Sequence, residues 1–555
     1  MSTRDELVFV PLGGVGEIGM NLGLYGYGPP EHRTWIAVDF GVAFAGPDLP
    51  GVDLIFPDIT YLEEERTNLV GILITHAHED HFGALIDLWP RLRVPVFATA
   101  FTAGLLTAKL ASEPGSELIP VNVVAAGSRF TVGPFQVEYV NVAHSIPEPN
   151  AVVIETPLGT VVHSGDWKLD DDPVIGHPTD AVRLKALGDA GVLALICDST
   201  NAMRAGRSPS ETEVARELIE IVGESAGRVA FTTFASNVGR IRSVAVAAAS
   251  AGREVVVVGR AMRRVIDVAG ELGYLDDLPP FRDEETYPHL PRGKVVALLT
   301  GSQGEPRAAL ARVVDDDHKT VTLDRGDVVV FSSRAIPGNE VAINRIINGL
   351  TERGIRVITD RERLVHVSGH PRREELRQLY GWLRPAIAIP VHGEAMHLSA
   401  HARFARELGV PAVLEIENGA MVRLAPLPAA QVDEIAAGRI YKDGSIIGDI
   451  DMVGVPERRR LAFSGHIGVA LVMNERGDVE LDPEIVLTGL PKTERNGRPL
   501  DETVMTAVLG TLDSIPRPRR RDPEVVREAV RRSVRAVVAE AWGKKPVCTV
   551  FVAVV

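Results

Sequence analysis

Thr75-His76-Ala77-His78-Glu79-Asp80-His81 is the stretch whose reading decides the fold of this chain. It follows Val70-Gly71-Ile72-Leu73-Ile74, an apolar run with the length of a buried strand. Alternate residues of an extended segment share a face, so His76 and His78 can point at one metal ion. The turn that follows can bring Asp80 and His81 to a second. Imidazole and carboxylate donors suit zinc, with manganese an alternative because a carboxylate is included. A polar turn rich in histidine would not need so many ligand types at one strand end. The cluster predicts a two-metal hydrolytic site.

Working outward, 555 residues are too many for one ordinary core, so two to four domains are expected. The composition, 45% hydrophobic and 24% charged, is that of a globular protein. No apolar stretch has the length of a membrane span, and the opening Met1-Ser2-Thr3-Arg4-Asp5-Glu6 does not read as a signal peptide. Cys197 and Cys548 each sit in an apolar strand-like run and read as buried free thiols, which agrees with a cytoplasmic location. The net charge of −15 argues against non-specific coating of nucleic acid. It leaves room for a local basic channel, because steering depends on where charge sits. Arg260, Arg263 and Arg264 gather in this way, whereas Arg517-Pro518-Arg519-Arg520-Arg521 reads as solvated surface.

The first 200 residues are dominated by short apolar strands (7–12, 35–40, 70–75, 94–99, 135–142, 151–155, 160–164 and 193–198), with helices over 83–88 and 102–110. This mixture predicts stacked sheets flanked by helices. From about Asn201 the pattern changes. A capped helix opens at Ser210, and strands then alternate with helices: 228–233, 237–251, 254–258, 262–272, 295–299, 327–332 and 339–353. Such alternation predicts a largely parallel sheet. After Ile355 the strand-rich, ligand-bearing style returns to about Leu424, so the α/β segment reads as an insertion. Ala425-Pro426-Leu427-Pro428 opens a linker, and strands at 461–473, 479–487 and 546–555 with helices at 502–512 and 524–541 form a small α+β module.

Gly14-Val15-Gly16-Glu17-Ile18-Gly19 matches a dinucleotide fingerprint on paper, with Asp39 twenty residues beyond Gly19. The glycines should open a helix, yet Met20-Asn21-Leu22-Gly23-Leu24-Tyr25-Gly26 is strand-like. A tight turn feeding a second strand is the expectation.

Further ligand types stand at strand ends. His144 follows 135–142, Asp166 follows Val161-Val162-His163-Ser164-Gly165, and His392 follows 386–391. His163 alternates away from the Asp166 turn and reads as packing. The set His76, His78, Asp80, His81, His144, Asp166 and His392 resembles the metallo-β-lactamase fold. Asp198-Ser199-Thr200, His366-Val367-Ser368-Gly369-His370 and Pro390-Val391-His392-Gly393-Glu394 resemble its β-CASP nuclease branch. With Gly13-Gly14-Val15-Gly16-Glu17-Ile18-Gly19, Gly301-Ser302-Gln303-Gly304-Glu305-Pro306 and the C-terminal module, the chain is similar to the bacterial ribonuclease J family over essentially its full length. Gly165-Asp166-Trp167 carries Trp where the family pattern has Phe.

The resemblance implies an α/β chain: a metallo-β-lactamase αββα sandwich with an inserted α/β β-CASP domain and a small C-terminal α+β domain. Its boundaries would be 1–200 and 356–425 for the sandwich, 201–355 for the insertion, 426–459 for a linker and 460–555 for the C-terminal domain. One metal would be held by His76, His78 and His144, and the other by Asp80, His81 and His392. Asp166 would bridge them, and Asp39 would orient the histidine loop without binding metal. Two divalent ions, zinc before manganese, would generate a hydroxide that attacks the phosphodiester. His370 would be the general acid for the leaving 3′-oxygen, supported by Asp198, with Asp80 also part of the catalytic set. His366, Ser368, Gly369, His370 and Ser236 would form a 5′-monophosphate pocket, assisted by the N-terminus of a helix at 374–383. That pocket would give 5′-to-3′ exonuclease action on RNA, with endonuclease activity besides. A homodimer or homotetramer, a place in an RNA degradation complex and no membrane partner complete the expectation. A small-ester hydrolase would not need the inserted segment, Asp198 or His370. A non-catalytic RNA-binding scaffold would have lost ligands, and every ligand is present.

Overall fold

Strands buried on both faces read as near-continuous apolar runs, as Glu6–Gly13, Ala194–Asp198 and Ile387–Val391 do. The computed structural model describes residues 5–113, 115–336 and 338–555. The chain divides into two compact units: residues up to Ala43 with Ile55–Arg439, and Phe44–Leu54 with Ile440–Val555.

The first unit contains two facing sheets. One has eight strands in the order Ala430–Glu434, Ala420–Ala425, Glu6–Gly13, Leu22–Gly28, Thr34–Val38, Leu69–Leu73, Val96–Ala98 and Val121–Val123. The other has seven: Arg129–Val132, Phe135–Asn141, Asn150–Thr156, Gly159–His163, Ala194–Asp198, Ile387–Val391 and Ala412–Val413. Phe9, Tyr25, Ile36 and Leu73 of the first meet Tyr139, Ile154, Val161, Ile196 and Ile389 of the second in one core. The intervening residues Val140, Val153, Val162, Leu195 and Cys197 point the other way. They pack on Leu184, Leu187, Leu376, Tyr380 and Phe404 of helices Ala181–Ala190, Arg373–Leu383 and Ala395–Glu407. Each Leu or Ile so buried contributes about 1.5–3 kcal/mol.

Ala194–Asp198 and Ile387–Val391 are parallel neighbours, with Asp198 opposite Val391. Between them the chain builds a separate five-stranded sheet, parallel throughout, in the order Glu254–Val258, Val295–Leu299, Val229–Thr232, Val328–Phe331 and Arg356–Ile358. Its own core includes Val256, Ala297, Leu299, Val329, Phe331 and Ile346. The helix Glu211–Glu224 opens on a capping box between Ser210 and Glu213, as Ser-Glu-Thr-Glu foretold.

In the second unit, strands Val479–Thr488, His466–Met473 and Val547–Val554 form a sheet. Helices Leu500–Ser514 and Pro523–Trp542 cover one face of it, through Ile467, Val469, Val504, Val508, Val530 and Val534.

Several local expectations are corrected. Residues 461–464, read as strand, end the helix Val455–Ser464; Gly465 closes it with φ +63, and the strand starts at His466. The helix read at 83–88 is two pieces, Glu79–Phe82 and Leu85–Leu92, so Asp80 and His81 already lie in a helical turn. Residues 426–459, read as linker, carry the strand Ala430–Glu434, the paired strands Arg439–Asp443 and Ile446–Gly448, and the start of the Val455 helix. Phe44–Leu54 groups with the C-terminal unit although it lies within 1–200. Cys197 is buried and Cys548 half-buried, both as free thiols. Among the described residues no helix is long and apolar enough to cross a membrane.

Candidate metal centre

The parallel strands Gly159–His163, Ala194–Asp198 and Ile387–Val391 end side by side, so Asp166, Asp198 and His392 emerge along one edge. His76 follows Leu69–Leu73 in the facing sheet, and His144 follows Phe135–Asn141. Asp39, at φ +65, and His392, at φ +51, hold left-handed backbone that costs non-glycine residues about 1–3 kcal/mol. The surrounding structure sustains that strain at two positions of the same site.

Two groups of donors share one carboxylate. Nε2 of His76 and Nε2 of His144 lie 3.0 and 3.1 Å from Nδ1 of His78. Oδ2 of Asp166 stands 3.8 Å from the His76 nitrogen and 3.6 Å from that of His144. On its other side, Oδ1 of Asp166 lies 3.3 Å from His81 Nε2 and 3.5 Å from His392 Nε2. Asp80 Oδ2 completes this second group, 3.6 Å from His81 and 3.8 Å from His392. Within each group the ligand atoms all lie within 4.8 Å of one another.

Hydrogen bonds behind the rings decide which nitrogen is free. Asp39 Oδ2 accepts from the Thr75 hydroxyl at 3.0 Å, so that oxygen accepts from His76 Nδ1 at 2.9 Å and leaves Nε2 as a lone pair. Asp39 Oδ2 also accepts from His81 Nδ1 at 2.7 Å, and its Oδ1 from the Thr75 N–H at 2.8 Å. The Gly369 carbonyl accepts from His144 Nδ1 at 2.7 Å. Gly369 must be glycine, because a Cβ there would come within 2.5 Å of the His144 ring. Asp39 thus braces the histidine loop without facing the donors.

Burial, with neighbouring histidines, holds His76 and His144 well below their ordinary range and lowers His78 to about 4, so these rings are neutral. Burial also disfavours charge on His81, yet Asp166, Asp39 and Asp80 raise its pKa well above the usual value. Against the same burial, His392, His81 and His370 keep Asp166 ionised. Oδ1 of Asp166 is buried without a hydrogen-bond partner among the described residues. Converging imidazole lone pairs around an orphaned carboxylate oxygen fit divalent cations with nitrogen and oxygen ligands.

His370 stands beside the shared carboxylate. Its Nδ1 donates to Asp198 Oδ2 at 2.8 Å and lies 3.8 Å from Asp166 Oδ2. Burial opposes its protonation, but Asp198 and Asp166 win and raise its pKa to about 9. Of the other substrate-contact candidates, Ser368 Oγ accepts from Asn201 Nδ2 at 2.8 Å and from the His370 N–H at 3.3 Å, and its own proton has no acceptor among the described residues. His366 is kept well below its usual range by burial and by Arg240, Arg334 and Lys168, and its Nδ1 has no partner among the described residues. Ser236 sits just before Asn237, which caps the helix Val238–Ser250. One expectation fails: the N-terminus of the helix Arg373–Leu383 is not open to a phosphate. The N–H groups of Arg373 and Glu374 donate to the carbonyls of Arg204 and Gly206, and that of Arg372 to Glu375 Oε2 at 2.9 Å. His163 donates to or accepts from Tyr25 OH at 2.8 Å, a packing role.

Sequence reasoning passed over several residues here. Asn21 touches both His81 and His392. Ser199 and Tyr380 flank the buried His401 at 2.8 and 3.0 Å, bracing the turn after Asp198. Lys168, Asp170, Glu211 and Arg240 form a buried charged chain. Asn21 follows the glycine run directly, a signal that was available; the others are generic residues paired across long sequence distances.

Four family descriptions match the chain. They are a "Beta-lactamase superfamily domain" at residues 34–189, "Ribonuclease J, beta-CASP domain" at 226–350, "Zn-dependent metallo-hydrolase RNA specificity domain" at 354–414 and "Ribonuclease J C-terminal domain" at 453–555. The chain is 57% identical over 552 residues to ribonuclease J of Sinorhizobium meliloti, covering 100% of this chain and 98% of that one. It is 39% identical to ribonuclease J of Mycolicibacterium smegmatis (96% of this chain, 95% of the relative). It is 36% identical to ribonuclease J of Thermus thermophilus (98% and 94%). A crystal structure of a protein of unknown function from Enterococcus faecalis shares the fold, with TM-score 0.52 and 16% identity over 75% of this chain and 100% of that one. The chain belongs to the ribonuclease J family and is a metal-dependent ribonuclease, a metallo-β-lactamase sandwich carrying a β-CASP insertion and a C-terminal domain.

Proposed function

We propose that the chain degrades RNA from a 5′-monophosphate end in the 5′-to-3′ direction, cuts internally as well, and leaves 5′-phosphate products. The observation that carries this reading is Asp166, whose two oxygens face different donor groups while His370 stands beside them. In this reading His76, His78 and His144 would hold one ion and Asp80, His81 and His392 the other, with Asp166 a candidate ligand to each. Zinc is the proposed metal, because the donors are imidazole and carboxylate. Bound there, the ions would neutralise charge on the scissile phosphate and lower the pKa of a water.

The remaining work falls to the chain's own groups. His370 gives its Nδ1 proton to the hydrogen bond with Asp198, so Nε2 carries the proton available to the departing 3′-oxygen. Asp198 keeps that ring oriented and charged. Asp39, Thr75 and Gly369 hold the ligand histidines in the tautomers that leave their lone pairs inward.

For the 5′ end, the proposed grip is the pocket of His366, Ser368, Gly369 and Ser236. Among the described residues the Ser368 hydroxyl proton has no acceptor, and Ser333 Oγ and His366 Nδ1 are buried polar atoms lacking partners. Burial, and then the nearby Arg334 and Arg372, lower the pKa of Arg204, so three arginines gather there. The proposed working parts are a sandwich that includes the strand Ala430–Glu434, an insertion at 201–355, and a C-terminal domain that begins before the helix Val455–Ser464 and takes in Phe44–Leu54. A cytoplasmic homodimer or homotetramer, in an RNA degradation complex, is the proposed setting. The test compares RNAs bearing 5′-monophosphate and 5′-triphosphate, with and without chelator. Faster decay of the monophosphate, abolished by chelation, is expected; equal decay of both would defeat the pocket.

A further inference from the structure

The glycine-rich segment near the N-terminus has a place in the metal centre that its dinucleotide-like pattern conceals. It ends in Asn21, a buried residue. The Asn21 backbone N–H donates to the Asp80 carbonyl at 3.0 Å, and its own carbonyl accepts from Gly41 N–H at 3.0 Å. The side-chain Nδ2 reaches the same Asp80 carbonyl at 3.0 Å and His81 Nε2 at 3.1 Å. The side-chain Oδ1 lies 2.9 Å from His392 Nδ1.

One carbonyl fixes the rest. A carbonyl oxygen only accepts, so the amide end facing Asp80 must be the nitrogen. The oxygen end then faces His392, whose Nδ1 must be the donor. The His392 lone pair is left on Nε2, on the side of Asp166 Oδ1 and Asp80 Oδ2. The glycines permit this approach: the Gly14 carbonyl accepts from the His392 N–H at 2.7 Å, and at φ +84 a Cβ on Gly14 would collide with the Asn21 side-chain oxygen. Val15–Gly16 also pairs with Gly393–Glu394, just after His392. One segment therefore braces Asp80 and His392 together and touches His81 at its metal-facing Nε2. His76 and His144 are braced elsewhere, by Thr75 and Gly369.

We propose that Asn21 is a positioning residue that sets metal affinity at the Asp80–His81–His392 position and leaves the His76–His78–His144 position unchanged. This rests on the ligand assignment above. The test measures bound metal by elemental analysis after equilibration with a limiting chelator, in full-length wild type and in Asn21→Leu. Wild type should hold two zinc ions and Asn21→Leu one, its affinity for the other falling about ten- to hundredfold. Adding His76→Ala should remove the ion that remains, whereas adding His392→Ala should leave it. Asn21→Asp keeps an oxygen toward His392 but sets a second against the Asp80 carbonyl, so its loss should be intermediate. Two tightly held ions in folded Asn21→Leu, or equal weakening of both, would overturn the proposal alone. Fewer than two ions in wild type would overturn the ligand assignment and the proposal with it. Should Asn21→Leu not fold, nitrogen-15 spectra of histidine-labelled, zinc-loaded wild type decide: His392 protonated on Nδ1 supports the proposal, and on Nε2 overturns it.

Discussion

Two parallel strand edges in this molecule end in different chemistry. Along the sandwich, the strands Gly159–His163, Ala194–Asp198 and Ile387–Val391 deliver Asp166, Asp198 and His392. Along the inserted sheet, Val229–Thr232, Val295–Leu299 and Val328–Phe331 run into Thr233, Ser236, Ser302, Gln303, Ser333 and Arg334. At each edge three parallel strands end side by side. What differs is the side chains, imidazole and carboxylate on one edge and hydroxyl and guanidinium on the other. Topology supplies the place and residue type the chemistry. The edges are joined by Arg240, wholly buried, which binds Glu211 on one side and the Ser332 and Val365 carbonyls on the other. Because the two edges carry different side chains, cutting and gripping should fail separately when one edge is changed at a time.

Asp166→Ala should have the largest effect, because it removes the carboxylate common to both donor groups. Turnover should fall by about 10⁴-fold or more, equivalent to at least about 5.5 kcal/mol of barrier, with metal lost from both positions. Full metal content in that variant would separate Asp166 from the cage. His370→Ala should lose about 10²–10⁴-fold in turnover while holding its metal, the difference elemental analysis checks. The pH profile sharpens this. His370, raised to about 9 by Asp198 and Asp166 against burial, serves as an acid only below its pKa, so activity is present on the acid side and lost as pH rises through it. Bound cations oppose that charge and move the alkaline limb below this value. Asp198→Asn removes the carboxylate that raises the pKa, so the limb should move lower still; an unmoved limb would detach His370 from that step.

Arg240→Met tests the joint between the edges. Leaving Glu211 buried and unpaired should cost about 3–5 kcal/mol of stability, read by denaturant unfolding. The smallest effect should come from the gripping edge alone. Ser333→Ala and His366→Ala should each lower the preference for 5′-monophosphate over 5′-triphosphate by about ten- to a hundredfold while sparing internal cleavage, in keeping with about 1.5–3 kcal/mol for a hydrogen bond to a charged group.

The cutting edge was far more legible in the sequence than the gripping edge. His76, His78, His144, Asp166 and His392 each follow an apolar run, and ligand residues at strand ends are recognisable one at a time. Asn21, His401 and Arg240 are not, since their meaning lies in partners such as His392, Ser199 and Val365, which the chain brings together only on folding. The start of the helix Arg373–Leu383 looked open for the same reason: the carbonyls of Arg204 and Gly206 that occupy it come from a distant loop. Residues 461–464 failed locally, where an apolar Leu-Ala-Phe reads as strand while Pro456 and Gly465 delimit a helix.

Two bound metal ions would each take one oxygen of Asp166. Anomalous diffraction at the zinc absorption edge, from crystals of the zinc-loaded chain, tests it most directly. Two peaks are predicted, one among His76, His78 and His144 beside Asp166 Oδ2, the other among Asp80, His81 and His392 beside Oδ1. A single peak, or two peaks that leave one Asp166 oxygen without a metal neighbour, would contradict it.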